Sequence, residues 1–314
     1  MILCIGATPA AQRVMVFRSL TVDGVNRASK TVDGIAGKAI NVAKVLKMLG
    51  AQPAAVGFLG GQQGETIREV LRERGIEQEF IWVPEQTRQC ITVIDESADT
   101  QTELVEESQP VALERYEALL GVVQRRAPNC RAVIMSGTLT PGAPVDFYFR
   151  CLEQANATGI LSVLDAKEAA LDAALPARPG LVKPNRAELA ATVGRELDDE
   201  RDIVAAMKVV HERGAQRVVI TSGAKPTLAF DGGNIWRISA PSISVVNPIG
   251  SGDAFTAGAA LGLLRGDDLG EACRLGSACG AANALTLMAG EIDPKEVERI
   301  AARVKVERTK EPHR

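Results

Sequence analysis

The chain has 314 residues, 46% of them hydrophobic, which is enough for one large α/β domain or two smaller ones with a full core. Its 36 basic and 39 acidic residues nearly cancel, and no basic block occurs before 303–314, so nucleic acid and anionic membranes are excluded as expected partners. Two histidines and six cysteines without a CxxC pair provide no pattern for Ser-His-Asp, Cys-His or zinc chemistry.

In chain order, Met1-Ile-Leu-Cys-Ile-Gly is apolar but short and without a basic leader, and no run approaches the ~20 apolar residues of a spanning helix. A cytoplasmic protein with reduced thiols is expected. Residues 2–5 read as a strand. Residues 12–32 and 81–106 alternate apolar and polar positions, as at Val14 and Val16 and at Ile91 and Val93, so they read as strands with one wet face. They form either a small antiparallel flap or ordinary edge hairpins. Apolar β-rich runs at 54–58, 132–135, 160–164, 180–182 and 217–220 alternate with helical spacing at 39–49, 65–74, 113–125, 201–212 and 269–287. Gly50 and Gly75 supply helix stops, and His211 falls on one of these helices. The alternation predicts an α/β fold with a mostly parallel sheet covered on both faces. Ile243, Val245 and Val246 suggest a further strand, broken by Asn247 and Pro248. The expected division is a main domain of 1–10, 34–80 and 107–305, a β lid of 11–33 and 81–106, and a frayed charged tail of 306–314 that contains His313.

Three segments carry chemistry. In NPIGSGDAFTAGAALGLLRG (247–266), Gly250 and Gly252 let the backbone turn its amides toward one point at the start of an apolar helix. Those amides and the helix dipole attract phosphate. Asp253 beside them is either an N-terminal helix cap or a base for an attacking hydroxyl. In GIAGKAINVA (34–43), a glycine turn brings Lys38 and Asn41 into the first turn of a helix, suited to a polyhydroxylated or anionic ligand, or merely leaves a solvated lysine. The segment lacks the spacing and the hydroxyl of a Walker A loop. In KPNRAE (183–188), Asn185 and Glu188 are three apart, so they form either a capping box or a site that organises magnesium through water. No GxGxxG spacing occurs in 57–64 or 250–255, which disfavours nicotinamide chemistry.

Together, AGKAINVAKVLKMLG, VIMSGTLTPG, KPNRAEL and NPIGSGDAFTAGAALG resemble the ribokinase/PfkB family of carbohydrate kinases over nearly the whole chain. GVNRA at 24–28, Gly37-Lys38 with Asn41, and Gln86-Thr-Arg88 are most similar to its branch acting on sugars already phosphorylated, which contains 1-phosphofructokinase and tagatose-6-phosphate kinase. The resemblance implies a three-layer α/β/α fold with a β lid, ATP and Mg2+, and a homodimer paired through the lid. It implies Asp253 as the base and the amides of Gly250, Ser251 and Gly252 as the anion hole. Gln12, Gly37, Lys38 and Asn41 would hold the sugar, with Arg88, Ser136 and, from a neighbouring subunit, Arg27 near its phosphate. Lys183, Asn185, Thr221, Gly223 and Asn283 would lie on the nucleotide side, and Asn185 and Glu188 would organise the metal through water. Arg27, Lys38 and Arg88 supply the positive charge that a phosphorylated acceptor requires. Six positions, at four places in the chain, depart from the family pattern. Gln12 replaces an aspartate, Ala36 and Ala39 replace glycines of GGKG, Pro226 stands where glycine is common, and Pro248-Ile249 precedes the anion hole. The expected activity is phosphorylation of a ketohexose phosphate. A kinase for an unphosphorylated sugar or nucleoside, or a sugar-phosphate sensor, is the alternative.

Overall fold

The structure, a computed structural model, describes residues 1–310. Its strands are β1 (Ile2–Gly6), β2 (Ala10–Phe17), β3 (Lys30–Ala36), β4 (Pro53–Leu59), β5 (Glu77–Gln78), β6 (Ile81–Trp82), β7 (Arg88–Asp95), β8 (Thr100–Val105), β9 (Ala132–Ser136), β10 (Leu161–Asp165), β11 (Leu181–Val182), β12 (Val218–Ser222), β13 (Lys225–Phe230), β14 (Asn234–Ser239) and β15 (Lys305–Lys310). Its helices are α1 (Lys38–Met48), α2 (Gly61–Glu73), α3 (Leu113–Arg126), α4 (Phe147–Thr158), α5 (Glu168–Ala174), α6 (Arg186–Val193), α7 (Glu200–Glu212), α8 (Ser251–Arg265), α9 (Leu269–Ala284) and α10 (Pro294–Ala301).

The main sheet runs β15-β14-β13-β12-β11-β10-β9-β1-β4-β5, with β6 also against β4. Strands β12 through β4 pair in parallel, while β13, β14 and β15 close one side as an antiparallel edge. The parallel strands read as continuous apolar runs because both of their faces are covered. Leu3 and Ile5 of β1 join the core formed with α3 to α7, whereas Ile2 and Cys4 join the core formed with α1, α2, α8, α9 and α10. The expected α/β layering is therefore present. Small residues set the fit of α8 against α9: a Cβ added at Gly258 would lie 2.9 Å from the Cα of Gly276. All six cysteines are buried and unbridged. Among the described residues, no helix is long and apolar enough to cross a membrane.

The lid differs from the antiparallel flap read from the sequence. It is a four-stranded sheet ordered β3-β2-β7-β8, in which β2 and β7 run parallel and only the outer pairs are antiparallel. Both central strands leave the same edge of the main sheet, β2 just after β1 and β7 just after β6, so they enter the lid in the same direction. The short β6 belongs to the main sheet, so this part of the lid begins at Arg88 rather than at residue 81. Val14, Val16 and Ile94 on the inner face of the lid pack against Leu287 and Met288.

Two further expectations are corrected. Residues 305–310 form the edge strand β15 against β14 rather than a frayed tail, with Val306 turned onto the core and charged neighbours facing water. His313 lies outside the described residues. The strand read at 243–246 is absent, because the amides of Val246 and Asn247 both donate to the carbonyl of Ala284 at the end of α9 (2.8 and 3.2 Å).

The centre of the sheet has no spare volume where it meets the ligand edge. A Cβ at Gly57 would lie 2.0 Å from the carbonyl oxygen of Gly6 on the adjacent strand. Gly57→Ala is expected to destabilise the protein by about 2–4 kcal/mol, measured as a lower urea midpoint with an unchanged slope.

Candidate active site

The C-terminal ends of β1, β9, β10, β11 and β12 form one edge, where open α/β sheets bind ligands. The N-termini of α1 and α8 meet over it. Gly37 starts α1 with φ of 113°, and a Cβ there would lie 2.8 Å from the Cα of Pro9, so only glycine fits this turn. Gly250 starts α8 in the left-handed region, with φ of 84°. A Cβ on Gly250 would meet Ala289 and the amide of Gly290 at 2.8 and 2.9 Å. Asn247 fixes the turn from below by donating to the carbonyl of Leu287 (2.8 Å) and accepting from the amide of Ile249 (3.1 Å).

Within this turn the amides of Gly250, Gly252 and Asp253 donate to no acceptor among the described residues, whereas that of Ser251 donates to the carbonyl of Pro248 (3.1 Å). Of the three amides expected to face an anion, those of Gly250 and Gly252 are thus free, while that of Ser251 is taken by the carbonyl of Pro248 and that of Asp253 is free in addition. Asn283 is fully buried, donates to the carbonyl of Ile249 (2.9 Å) and accepts from the amide of Gly290 (2.7 Å), so it braces the loop.

Asp253 sits in the first turn of α8, 6% exposed. Asn41 of α1 donates to its Oδ2 at 2.8 Å, while the Oδ1 of Asn41 has no partner among the described residues. Burial raises the Asp253 carboxyl from 3.8 to about 6, with Lys38, Asn41 and Lys183 opposing and Asp165 adding to the rise. A carboxylate tuned this way is ionised at neutral pH yet basic enough to take a proton from a hydroxyl. Beside it, Asp165 at the end of β10 binds Lys38 Nζ (3.1 Å) and Lys183 Nζ (3.2 Å). Burial opposes ionisation of Asp165, but Lys183 and Lys38 hold its pKa below the ordinary value. Burial likewise opposes the Lys38 ammonium, yet Asp165, Asp253 and Glu188 raise its pKa. Asp165 escaped sequence reasoning. Its position, the last residue of a buried parallel strand, was the available signal.

At the start of α6, Asn185 accepts from the amide of Glu188 (2.9 Å) and Glu188 Oε2 accepts from that of Asn185 (2.8 Å). The capping box is therefore formed. It leaves Glu188 Oε1 directed into the site, 3.7 Å from Lys38 Nζ. An isolated bridge joins Asn185 to Thr221, and Gly223, at φ of 61°, turns β12 into β13. Asn185, Thr221, Gly223 and Lys225 line one open cleft. Pro226 is accommodated because the ladder between β12 and β13 shifts register there, where no N–H is required. Among the described residues no cluster of three or more acidic, histidine or cysteine side chains could hold a metal by itself.

On the other side of Lys38, Ser136 shares a small cavity with Gly6, Thr8, Pro9 and Gly37. Its hydroxyl has no partner among the described residues and is 1% exposed at the residue level. A neighbouring cavity, also touching Thr8 and Pro9, includes Gln86, Arg88, Ser108 and Thr140. Arg88 donates to the carbonyls of Thr8 (3.2 Å) and Glu106 (3.3 Å) and keeps its Nε unpaired. Gln12, on the inner face of the lid, is 2% exposed, lies 3.5 Å from the Thr92 hydroxyl through Nε2 and leaves Oε1 unpaired. Arg27 lies exposed on the loop between β2 and β3, so its own chain gives it no partner at the site.

The model of the pfkB family of carbohydrate kinases matches residues 1–296. The chain belongs to that family. It is 29% identical to a tagatose-6-phosphate kinase of Staphylococcus epidermidis, over 98% of this chain and 99% of the relative. The structure of Escherichia coli phosphofructokinase-2 in complex with fructose-6-phosphate has a TM-score of 0.85 at 26% identity, covering 96% of this chain and 98% of that one. The tetrameric inhibited form of the same enzyme has a TM-score of 0.87 at 27% identity and the same coverage. A Thermotoga maritima protein described as a possible 1-phosphofructokinase has a TM-score of 0.90 at 25% identity, covering 98% and 99%. This pfkB family member is accordingly a kinase, and the family implies ATP as the phosphoryl donor. Of its departures from the common pattern, Ala39 is accommodated by packing, its methyl group occupying space that a Cβ on Gly6 would need (2.6 Å).

Folding raises the Asp253 pKa from 3.8 to about 6, so the folded state holds that proton more tightly than the unfolded chain. The associated stability is complete below pH 3.8 and is lost as pH rises through about 6. Asp253→Asn is therefore expected to be more stable than the wild type near pH 7.5, by on the order of 1–3 kcal/mol. The difference should shrink toward pH 4, which thermal unfolding across that range will measure.

Proposed function

We propose that this kinase transfers the γ-phosphoryl group of ATP to a hydroxyl of a phosphorylated ketohexose, with Asp253 as the base. Fructose 1-phosphate and tagatose 6-phosphate are the first acceptors to test. The observation that carries the reading is the buried Asp253 carboxylate, held by Asn41 within the same helix turn as unpaired backbone amides. A carboxylate repels phosphate, so its presence in an anion-binding turn makes sense only if it takes a proton from the nucleophile. Asn41 orients that carboxylate. The amides of Gly250, Gly252 and Asp253 would stabilise the charge that develops on the transferred group, and Lys38 and Lys183 would balance the phosphates on either side. The tagatose-6-phosphate kinase and the fructose-6-phosphate complex among the relatives support an acceptor that already carries phosphate. The unpaired Arg88 Nε and Ser136 hydroxyl give such a phosphate donors beside Thr8.

The donor set suits magnesium that brings its own waters and phosphates, because Asp165 is committed to two lysines, Glu188 Oε1 faces Lys38 at 3.7 Å and Asn185 lines the open cleft. Those two residues would hold it through water. When bound, it would neutralise charge on the nucleotide phosphates.

We further assign the outer face of the lid to a homodimer interface, in keeping with the tetrameric form known for a relative. Met15, Ile91 and Val93 lie on that face, with Leu104 directly opposite Ile91 and 54% exposed. Leu104 is a large apolar side chain left exposed there, of the kind an interface covers. In a dimer it would bring Arg27 of one subunit toward the sugar site of the other.

Asp253→Asn is expected to lower kcat by at least about 1,000-fold in a coupled assay of ADP release, and retention of most turnover would refute the reading. Arg88→Ala should raise KM for sugar phosphates by about 10- to 100-fold while leaving KM for unphosphorylated sugars unchanged. Ile91→Asp combined with Leu104→Asp should convert the dimer to a monomer in size-exclusion chromatography with light scattering.

A further inference from the structure

Lys44 has no part in the chemistry described above, yet it is 1% exposed in the middle of α1, two turns beyond Lys38. Its Nζ lies 2.7 Å from the carbonyl oxygen of Ala289, 3.2 Å from that of Ile35 and 3.1 Å from Glu291 Oε1. An ammonium has three N–H donors and no acceptor, so three acceptors satisfy it fully. Burying a charge this deeply is expensive unless it is paired and hydrogen-bonded, and an apolar residue would fill the same core position without that cost. The two carbonyls explain its place. Ile35 is next to the end of β3, where the lid strand turns through Gly37 into α1. Ala289 lies in the segment that backs the anion hole, against which a Cβ of Gly250 would collide at 2.8 Å. The adjacent Gly290 donates its amide to Asn283 and lies so close to Asn41 that a Cβ would come within 2.8 Å of the Asn41 Cα. Asn41 is the residue that holds Asp253. The ammonium therefore ties together the base of the lid, the wall behind the amides and, through Gly290, the partner of the base.

We propose that Lys44 is a positioning residue, whose charged ammonium fastens the lid strand to the 289–291 segment and thereby sets the anion-hole amides and Asn41 for phosphoryl transfer. The proposal rests on Asp253 and the 250–253 amides being the site of that transfer. The charged groups around Lys44 are Glu291 from the segment before α10, Arg74 from the end of α2, which also binds Glu291 at 2.8 Å, and Asp253 from α8. Burial pushes the ammonium from 10.5 down to about 8, helped by Arg74 and opposed by Glu291 and Asp253. Loss of the proton removes one donor and the charge, which loosens both carbonyls.

The sign separates positioning from simple support of the fold. A lysine whose pKa falls on folding disfavours the folded state while it is charged, so its contribution to stability improves between about pH 8 and pH 10.5. A merely structural Lys44 would let activity follow that improvement. A positioning Lys44 makes kcat fall over the same interval while the melting temperature does not.

The experiment measures kcat, KM for ATP and melting temperature for the wild type and Lys44→Met from about pH 7 to about pH 9.5, with Asp253→Asn as control. The expected result is a wild-type kcat that declines above about pH 8, approaching tenfold per pH unit, without a parallel decline in melting temperature. Lys44→Met should have a kcat lowered about 30-fold or more near pH 7.5, a KM for ATP within about threefold and no alkaline limb. A Lys44→Met kcat within about twofold of wild type, or an alkaline limb that persists in this variant, overturns the proposal. If the variant does not fold, the wild type decides: a kcat flat to about pH 9.5 overturns the proposal and an uncoupled decline supports it. Turnover by Asp253→Asn would instead refute the underlying function, whatever Lys44 does.

Discussion

The balance of charge around Asp165 is the constraint on which the rest of the site depends. A carboxylate at the buried end of β10 would be untenable alone, and so would the Lys183 ammonium, which is 4% exposed. Joined, with Lys38 on the other oxygen, they form a neutralising bridge between β10, the end of β11 and the start of α1. That bridge sets two ammonium groups against one carboxylate and so carries one net positive charge. It also permits Asp253 to be ionised nearby, since a third acid in the same low-dielectric pocket would otherwise keep its proton. The ionisation of Asp253 and the positive charge of the site therefore come from the same lysines, and neither can be tuned without the other.

Much of this was legible in the sequence, for identifiable reasons. Both-face burial gives the parallel strands unbroken apolar runs, so 2–5, 54–58 and 132–135 reveal themselves. Glycines with forced backbone angles, Gly37 and Gly250, mark the two helix starts that meet over the C-terminal edge of the sheet. The direction of the lid strands was not legible, because alternation reports which face a strand buries and says nothing about which neighbour it pairs with. Nor was β15, whose charged alternation on an edge resembles that of a solvated tail. Asp165 and Lys44 were missed for a different reason: a lone acid or lysine inside an apolar run acquires meaning only from its partners in space, some of them more than 100 residues away, as Lys38 is from Asp165 and Ala289 from Lys44.

Asn283 was expected on the nucleotide side from its place near the end of α9. Its side-chain amide spans two backbone segments, at the carbonyl of Ile249 and the amide of Gly290. At Asn185 and Glu188 the capping box is formed. Capping and metal organisation looked like competing explanations, yet capping uses one carboxylate oxygen and fixes the other toward Lys38. A residue locked by its own helix is better placed to serve a ligand than one free to rotate.

The same logic bears on Gln12. An aspartate at this position on the inner lid face would be a buried carboxylate beside Thr92, which carries no charge to balance it. A neutral amide lowers that burden and exchanges a pure acceptor for a group that also donates. Its Nε2 is turned to Thr92, which leaves Oε1 as the atom presented inward. Gln12 thus offers an acceptor where the aspartate would have offered one, without the charge. The substitution is therefore a change in the charge of the lid, and it leaves the charge balance around Asp165 untouched.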